Sequence, residues 1–386
     1  MSYLVLLPTI LLSLFLCTSE VIVDIVSSVD SPCTTSCLTL SDFAAHHSSE
    51  NDIVNGTILR LGSGNHLLTL TTVINVLNID SFSMVSENQD PSVVCSQHAG
   101  LSFNFSQIRT VKIVNISFID CESDSAVLEF EYVNNVIIKE CKFINSKGNI
   151  VVAYQSKITI SGTVFMNSSS NDGITLFKQS LVDIVASNFT NNKLSNFGVL
   201  YALNNSTLWV VESTFKRNKV DHVGIVLIHN SLACFSDVKI LGNQCHYGAL
   251  YLHESALEIH DRMTISRNAA KLNTVFLVRS NLTSTGMFSY MHNQGSFLIT
   301  NSVLLLTGIS RFSNNSAKKR GGALTSIQSK VHLISNNSKF LNNSANFGGA
   351  IQGDYTPITS LIATVHTLQV NEIGPCMYVH NSSIVR

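Results

Sequence analysis

Residues 340–353 read FLNNSANFGGAIQG, and residues 312–325 read FSNNSAKKRGGALT. Both write a phenylalanine, an Asn pair, a small residue and then Gly-Gly-Ala before an aliphatic residue. Anchored on the first position, an F-x-x-N outline runs back along the chain through Phe118, Phe143, Phe165, Phe189, Phe215, Ile240, Ile265, Phe288, Phe312 and Phe340. Successive anchors are 22 to 28 residues apart. Such even self-similarity is the mark of a stacked repeat.

Each period holds three short apolar-alternating stretches. YGALYLHESALEIHDRMTISRN (247–268) follows the outline of FGVLYALNNSTLWVVESTFKRN (197–218). Alternation over three to five residues predicts short strands with one buried face. Gly, Asn and Ser lie between them, where tight bends require left-handed backbone or side-chain bonds to the main chain. One such turn has no way to bury its own apolar side. Stacked at about 4.8 Å, each strand gains backbone partners above and below. The expected fold is therefore all-β: a parallel β-helix, or solenoid, of about ten coils of about 24 residues. Helical repeats are excluded, because no stretch keeps a 3.6 period free of Gly and β-branched residues.

In this reading Phe312 and Phe340 are inward knobs in one file. The asparagines three places on, Asn192, Asn218, Asn243, Asn268, Asn315 and Asn343, are placed to form a ladder, since each amide has one acceptor and two donors. Gly-Gly-Ala turns the chain and sets a small residue where the next strand begins.

Only 13% of the 386 residues are charged and the formal net charge is −1, so nothing points to nucleic acid. Residues 1–19, MSYLVLLPTILLSLFLCTS, read as a secretory signal peptide, although no Lys or Arg precedes Arg60. No later segment is apolar over 18 residues, so no membrane span is expected after signal cleavage. Removing Cys17 leaves Cys33, Cys37, Cys95, Cys121, Cys141, Cys234, Cys245 and Cys376, an even set that fits structural disulfides or buried thiols. Twelve sequons, at Asn55, Asn104, Asn115, Asn167, Asn188, Asn204, Asn205, Asn281, Asn314, Asn336, Asn342 and Asn381, suggest an exported glycoprotein. The expected organisation is a signal peptide (1–19), an N-terminal cap with the first coils (20–104), the repeats (105–353) and an irregular C-terminal segment (354–386), a candidate point of truncation. Residues 38–50, LTLSDFAAHHSSE, predict a short capping helix with Ser41 as N-cap.

F-x-x-N…A…G-G-A-[IL], written here as FSNNSAKKRGGAL and FLNNSANFGGAI, resembles the repeat of polymorphic outer-membrane proteins and related adhesin passengers. More broadly the chain is similar to right-handed parallel β-helix proteins of the pectate-lyase-like superfamily. SPCTTSCLTLSDFA and NGTILRLGSGNHLL resemble the start of secreted β-helix proteins of simple animals. The resemblance implies the fold and an extracellular setting. It departs from the bacterial family in having no C-terminal barrel, so autotransport is not expected.

Enzymes on this fold cluster carboxylates on one outer face for acid–base work. Here acidic residues are scattered; Glu129 and Glu131 share a face and Glu140 lies in the next turn, which reads as solvated surface. Histidine is more suggestive. His222 and His246 are one period apart, and so are His229 and His253, so each pair stacks and is a candidate for a shared metal or for repulsion on protonation. His46 and His47 are adjacent on the predicted helix and point apart. No catalytic constellation, cofactor or resident metal is expected. The sequence therefore points to a secreted, glycosylated, non-catalytic rod in adhesion, matrix structure or glycan binding. Its partner would be an extracellular glycan or a matrix or cell-surface protein. The alternative is a polysaccharide lyase or hydrolase on the same fold.

Overall fold

The computed structural model describes residues 21–25, 38–46, 53–86, 91–96, 99–335, 338–360, 363–366, 377–380 and 384–385, with side chains described through 358. The signal segment, Cys33, Cys37, Cys376, His47, Asn336 and Asn381 lie outside the described residues.

Each turn lays down three strands, one in each of three parallel sheets. Lys157–Ser161, Leu181–Val185 and Thr207–Val211 are consecutive rungs of the first sheet. Val164–Met166, Asn188–Thr190 and Thr214–Lys216 are rungs of the second. Thr175–Lys178, Leu200–Leu203 and Val226–His229 belong to the third. The strands between the two ends are hydrogen-bonded to the turn before and the turn after, and those of the first two sheets send alternate residues inward. Ile160, Ile184 and Val210 are wholly buried in the first sheet.

Phe118, Phe143, Phe165, Phe189, Phe215, Ile240 and Ile265 occupy one file of the second sheet in register. All seven are 0% exposed. Rings of adjacent turns lie parallel, as for Phe165 and Phe189 with centroids 4.6 Å apart. Each buried ring contributes roughly 1.5–3 kcal/mol from area alone, with about 0.5–1.5 kcal/mol more per stacked pair.

At the next turn the file shifts residue. Ile265 pairs with Tyr290, not with Phe288, and Tyr290 pairs with Phe312. Phe288 is also buried, but opposite Met263, two residues earlier in the strand. The tyrosine is tolerated inside because its hydroxyl donates to the Gly295 carbonyl at 2.7 Å. With Tyr290 as anchor the residue three places on is Asn293, and it is buried.

Among the described residues the second sheet has 13 strands, one per turn, more than the ten coils expected. The additional turns carry no aromatic anchor: the file begins at His66 and Val93 below Phe118, and Phe340 pairs onward with Val365. The stack is about 60 Å long at that rise. The three sheets also run past 353, because Ile358–Ser360, Ala363–His366, Met377–His380 and Ile384–Val385 each pair parallel to the preceding turn. The described strands of the segment expected to be irregular belong to the solenoid.

At the N-terminal end a helix spans Leu40–His46 and buries Leu40, Phe43 and Ala44. Its cap is Thr39 rather than Ser41. The Thr39 hydroxyl accepts from the Asp42 amide at 3.1 Å, and the Asp42 carboxylate accepts from the Thr39 amide at 3.2 Å. This reciprocal pair satisfies two of the free amides of the first turn, which Ser41, already inside the helix, has no means to do.

The glycines of the opening motif are fixed by stacking. A Cβ on Gly322 would lie 2.1 Å from the Gly349 carbonyl oxygen of the next copy. Gly348 has φ +60, a conformation that L side chains rarely adopt. Gly322→Ala should therefore cost several degrees of melting temperature in circular dichroism, whereas Lys216→Ala on the outer face should leave it within about a degree.

Candidate functional site

Two residues after each anchor the backbone turns through a left-handed residue, as at Asn167, Asn191, Arg217, His292, Asn314 and Asn342. That corner points the following side chain back inside. Asn192, Asn218, Asn243, Asn268, Asn293, Asn315 and Asn343 consequently form one buried file. Asn243 shows its bonding. Its Nδ2 donates to the Oδ1 of Asn268 at 2.9 Å and to the Phe215 carbonyl at 3.0 Å. Its Oδ1 accepts from the backbone N–H of Asn218 at 2.8 Å and from the Asn218 Nδ2 at 3.1 Å. Both donors and both lone pairs are used.

Toward the N-terminus the same position is Ser168, whose amide donates to Asn192 Oδ1 at 3.0 Å, then Ser146 and then Cys121. Cys121 is disulfide-bonded to Cys95 of the turn below. Cys141 and Cys245 are free thiols that burial pushes up to about 12.

A second file was missed. Ser156, Ser180, Ser206, Ser231, Ser255, Ser280, Ser302 and Ser329 each precede a first-sheet strand. The hydroxyl of each accepts from the backbone amide one turn below, for instance Ser231 from Ser206 at 3.2 Å. Their spacing of 22 to 27 residues is visible in the sequence as a serine period. Asn243→Ala should cost about 3–5 kcal/mol in urea denaturation, because it strands two donors and two acceptors. Asn293→Ala should cost as much.

The histidines separate into two settings. His229 and His253 pair in register on the outer face of the third sheet, with rings parallel and centroids 4.9 Å apart. Their nitrogens and the Glu254 carboxylate lie within 4.8 Å of one another. A metal is bound in the plane of an imidazole, and stacked parallel rings aim their lone pairs side by side rather than at one point. Arg279 also stands in the way. Its Nη2 is 2.9 Å from His253 Nε2 and 2.8 Å from Glu254 Oε1. Since Arg only donates, His253 is neutral at Nε2. Burial, then His229, then Arg279 hold its pKa below the usual imidazole range, against the opposing pull of Glu254. A depressed folded pKa means that this group's stability contribution is complete above about pH 6.5 and is lost as pH falls further. His253→Gln should therefore lose less melting temperature than the native chain between pH 7 and pH 5.

His222 and His246 line something different. After each ladder Asn the chain makes a short outer step, as in Lys193–Leu194, Lys219–Val220 and Gln244–Cys245. It then bends into the main third-sheet strand. In later turns the step and the strand merge into Ala269–Val278, with register irregularities at Ala269, Asn273 and Val275. Step and strand flank a lateral groove of about 1030 Å³. Five cationic side chains line it, Lys219, Lys271, Lys318, Lys319 and Arg320, together with His222, His246 and one carboxylate, Asp221. Asp221 is taken by Lys219 at 3.3 Å, and Arg320 reaches Asp354 at 3.1 Å. Lys271, Lys318 and Lys319 are exposed, without an ion-pair partner among the described residues.

The three acidic side chains singled out in the sequence do not converge. Glu129 and Glu131 are on the third-sheet strand Glu122–Glu131, whereas Glu140 follows the first-sheet strand Asn135–Lys139 and pairs with Lys139 at 3.4 Å.

A family model described as a right handed beta helix region matches residues 99–270, a little under half of the chain. With the strand order above, the chain is a right-handed parallel β-helix. No curated protein matches it. Among solved structures it is similar to an alanine variant of the catalytic domain of a GH87 alpha-1,3-glucanase in complex with nigerose, at 11% identity and a TM-score of 0.31, covering 94% of this chain and 68% of that one. The same catalytic domain without that substitution matches at 10% identity and a TM-score of 0.25, with the same coverage. Likeness at this level says nothing of substrate.

Proposed function

We propose that the chain is a secreted, glycosylated, non-catalytic β-helix rod that binds an extracellular glycan or a matrix or cell-surface protein along its flank. The observation that carries this reading is the composition of the lateral groove. Its lining runs from Lys219 to Ile327 and is rich in basic and polar side chains. Hydrolysis or lyase chemistry calls for convergent acid and base groups, and the groove's one carboxylate is already engaged by Lys219. The likeness of 312–351 to adhesin repeats supports the adhesive side of the proposal.

The sequons favour the extracellular side. Asn167, Asn188, Asn205, Asn281, Asn314 and Asn342 are exposed on corners or outer faces. Asn115 and Asn204 are half-buried. Asn55 and Asn104 commit their Nδ2 to Asp80 and Asn75. Expressed in secreting animal cells, the protein should carry glycans on the six exposed asparagines, with lower occupancy at Asn55 and Asn104; glycopeptide mass spectrometry measures this. A secreted product without glycans would contradict the glycoprotein reading. The function itself is tested on a glycan and matrix-protein array run beside a polysaccharide-degradation assay. Binding without degradation is expected. Release of reducing ends or unsaturated products would establish the enzymatic alternative.

A further inference from the structure

The groove that the proposed function rests on has a chemical bias of its own, and we infer that it is a binding track for a linear sulfated polysaccharide. The whole chain is nearly neutral, with 24 Lys and Arg against 25 Asp and Glu. The groove departs from that balance, with five cations lining it and a single carboxylate. A trough lined by an excess of cations on a nearly neutral chain raises the local concentration of polyanions.

The track has a direction. In the third sheet's corner file Lys147 pairs with Ser169, Ser169 with Lys193, Lys193 with Lys219, and Lys219 with Gln244. Lys193 and Lys219 thus follow each other along the rod axis and lead into the groove, where Lys271, Lys318 and Lys319 continue the positive line. Successive turns are about 4.8 Å apart, close to the length of one sugar ring in an extended chain. Cations recur in the groove at every second turn, at Lys219, Lys271 and Lys318, with Gln244 and Gln294 in the turns between, so a linear polymer laid along the axis meets a cation at about every second sugar. A compact anion would use only one of them.

The type of cation selects among anions. Four of the five are lysines, and Arg320 is held by Asp354 at 3.1 Å. Planar, two-pronged recognition of carboxylates is the strength of a free guanidinium, whereas Lys acts as a point charge on any compact anion. Sulfate esters, spread along a chain and ionised throughout the physiological range, suit such a row. The floor fits the sugar itself. Ala270 and Leu298 give flat apolar contact, and Gln244 and Gln294 offer amides to hydroxyls.

The test uses the full secreted chain on immobilised heparin, polygalacturonate and a neutral β-glucan, with three forms of the protein. Native protein should bind heparin, more weakly with rising salt. The variant Lys271→Glu, Lys318→Glu, Lys319→Glu should bind at least tenfold more weakly with an unchanged melting temperature. The control Lys112→Glu, Lys239→Glu, Lys330→Glu, which changes the same charge on exposed positions of the other sheets, should lose less than twofold. Equal loss in both triple variants would overturn the track. Equal or tighter binding to polygalacturonate would overturn the sulfate preference. Binding of the neutral glucan, unmoved by salt or by the groove substitutions, would overturn this inference and leave the adhesive reading standing. Degradation of any of the three polymers would remove that reading as well.

Discussion

The structure depends on one requirement: a buried amide must find partners for every donor and acceptor it carries. An isolated turn of about two dozen residues has no way to meet it. The asparagine file meets it only when turns lie in register, because each Oδ1 serves the turn below and each Nδ2 reaches both the turn above and a carbonyl of the turn beneath. A slip by one residue would turn Asn243 to solvent and Gly242 inward, stranding the amides of its neighbours. The apolar files supply most of the driving force through burial. They would tolerate small offsets, as Phe288 and Tyr290 demonstrate. The hydrogen-bonded files are the part that sets register.

The same logic explains the other corner. Serine hydroxyls cap the amide that each first-sheet strand leaves free as it starts, a task a hydroxyl performs at small volume. Near the N-terminus, where the asparagine position becomes Ser146 and then Cys121, the turns are joined by the covalent bridge to Cys95. The rod thus changes its means of joining turns along its length while keeping one geometry.

How far was this legible in the sequence? The period, the inward aromatics and most of the asparagines follow from spacing, because strand alternation and a fixed corner leave little freedom. Asn293 escaped because Phe288 looked like the anchor; both Phe288 and Tyr290 are aromatic, and only the Asn three places beyond Tyr290 discriminates. The first coils, expected within 20–104, have no aromatic anchor at His66 and Val93 because a file position accepts any residue whose polar atoms are satisfied, and His66 Nε2 finds the Gly62 carbonyl at 2.9 Å. Thr39 displaced Ser41 as cap because the choice rests on which residue has Asp42 three places on. The groove was not legible at all. Its lysines are scattered from 219 to 319 in the sequence, and they converge only because the corner that follows the ladder asparagine is stacked in turn after turn.

The surfaces divide by role. The interior files set length and stiffness, the exposed asparagines decorate corners, and the flank with Lys271, Lys318 and Lys319 is where charge accumulates. Each depends on the same stacking. The direct test of that stacking is hydrogen exchange of asparagine side-chain amides, read by nitrogen-resolved NMR. The account predicts that Asn192, Asn218, Asn243, Asn268, Asn293, Asn315 and Asn343 exchange far more slowly than Asn314 and Asn342, their neighbours on the outside. Equal, fast exchange at all of these positions would contradict it.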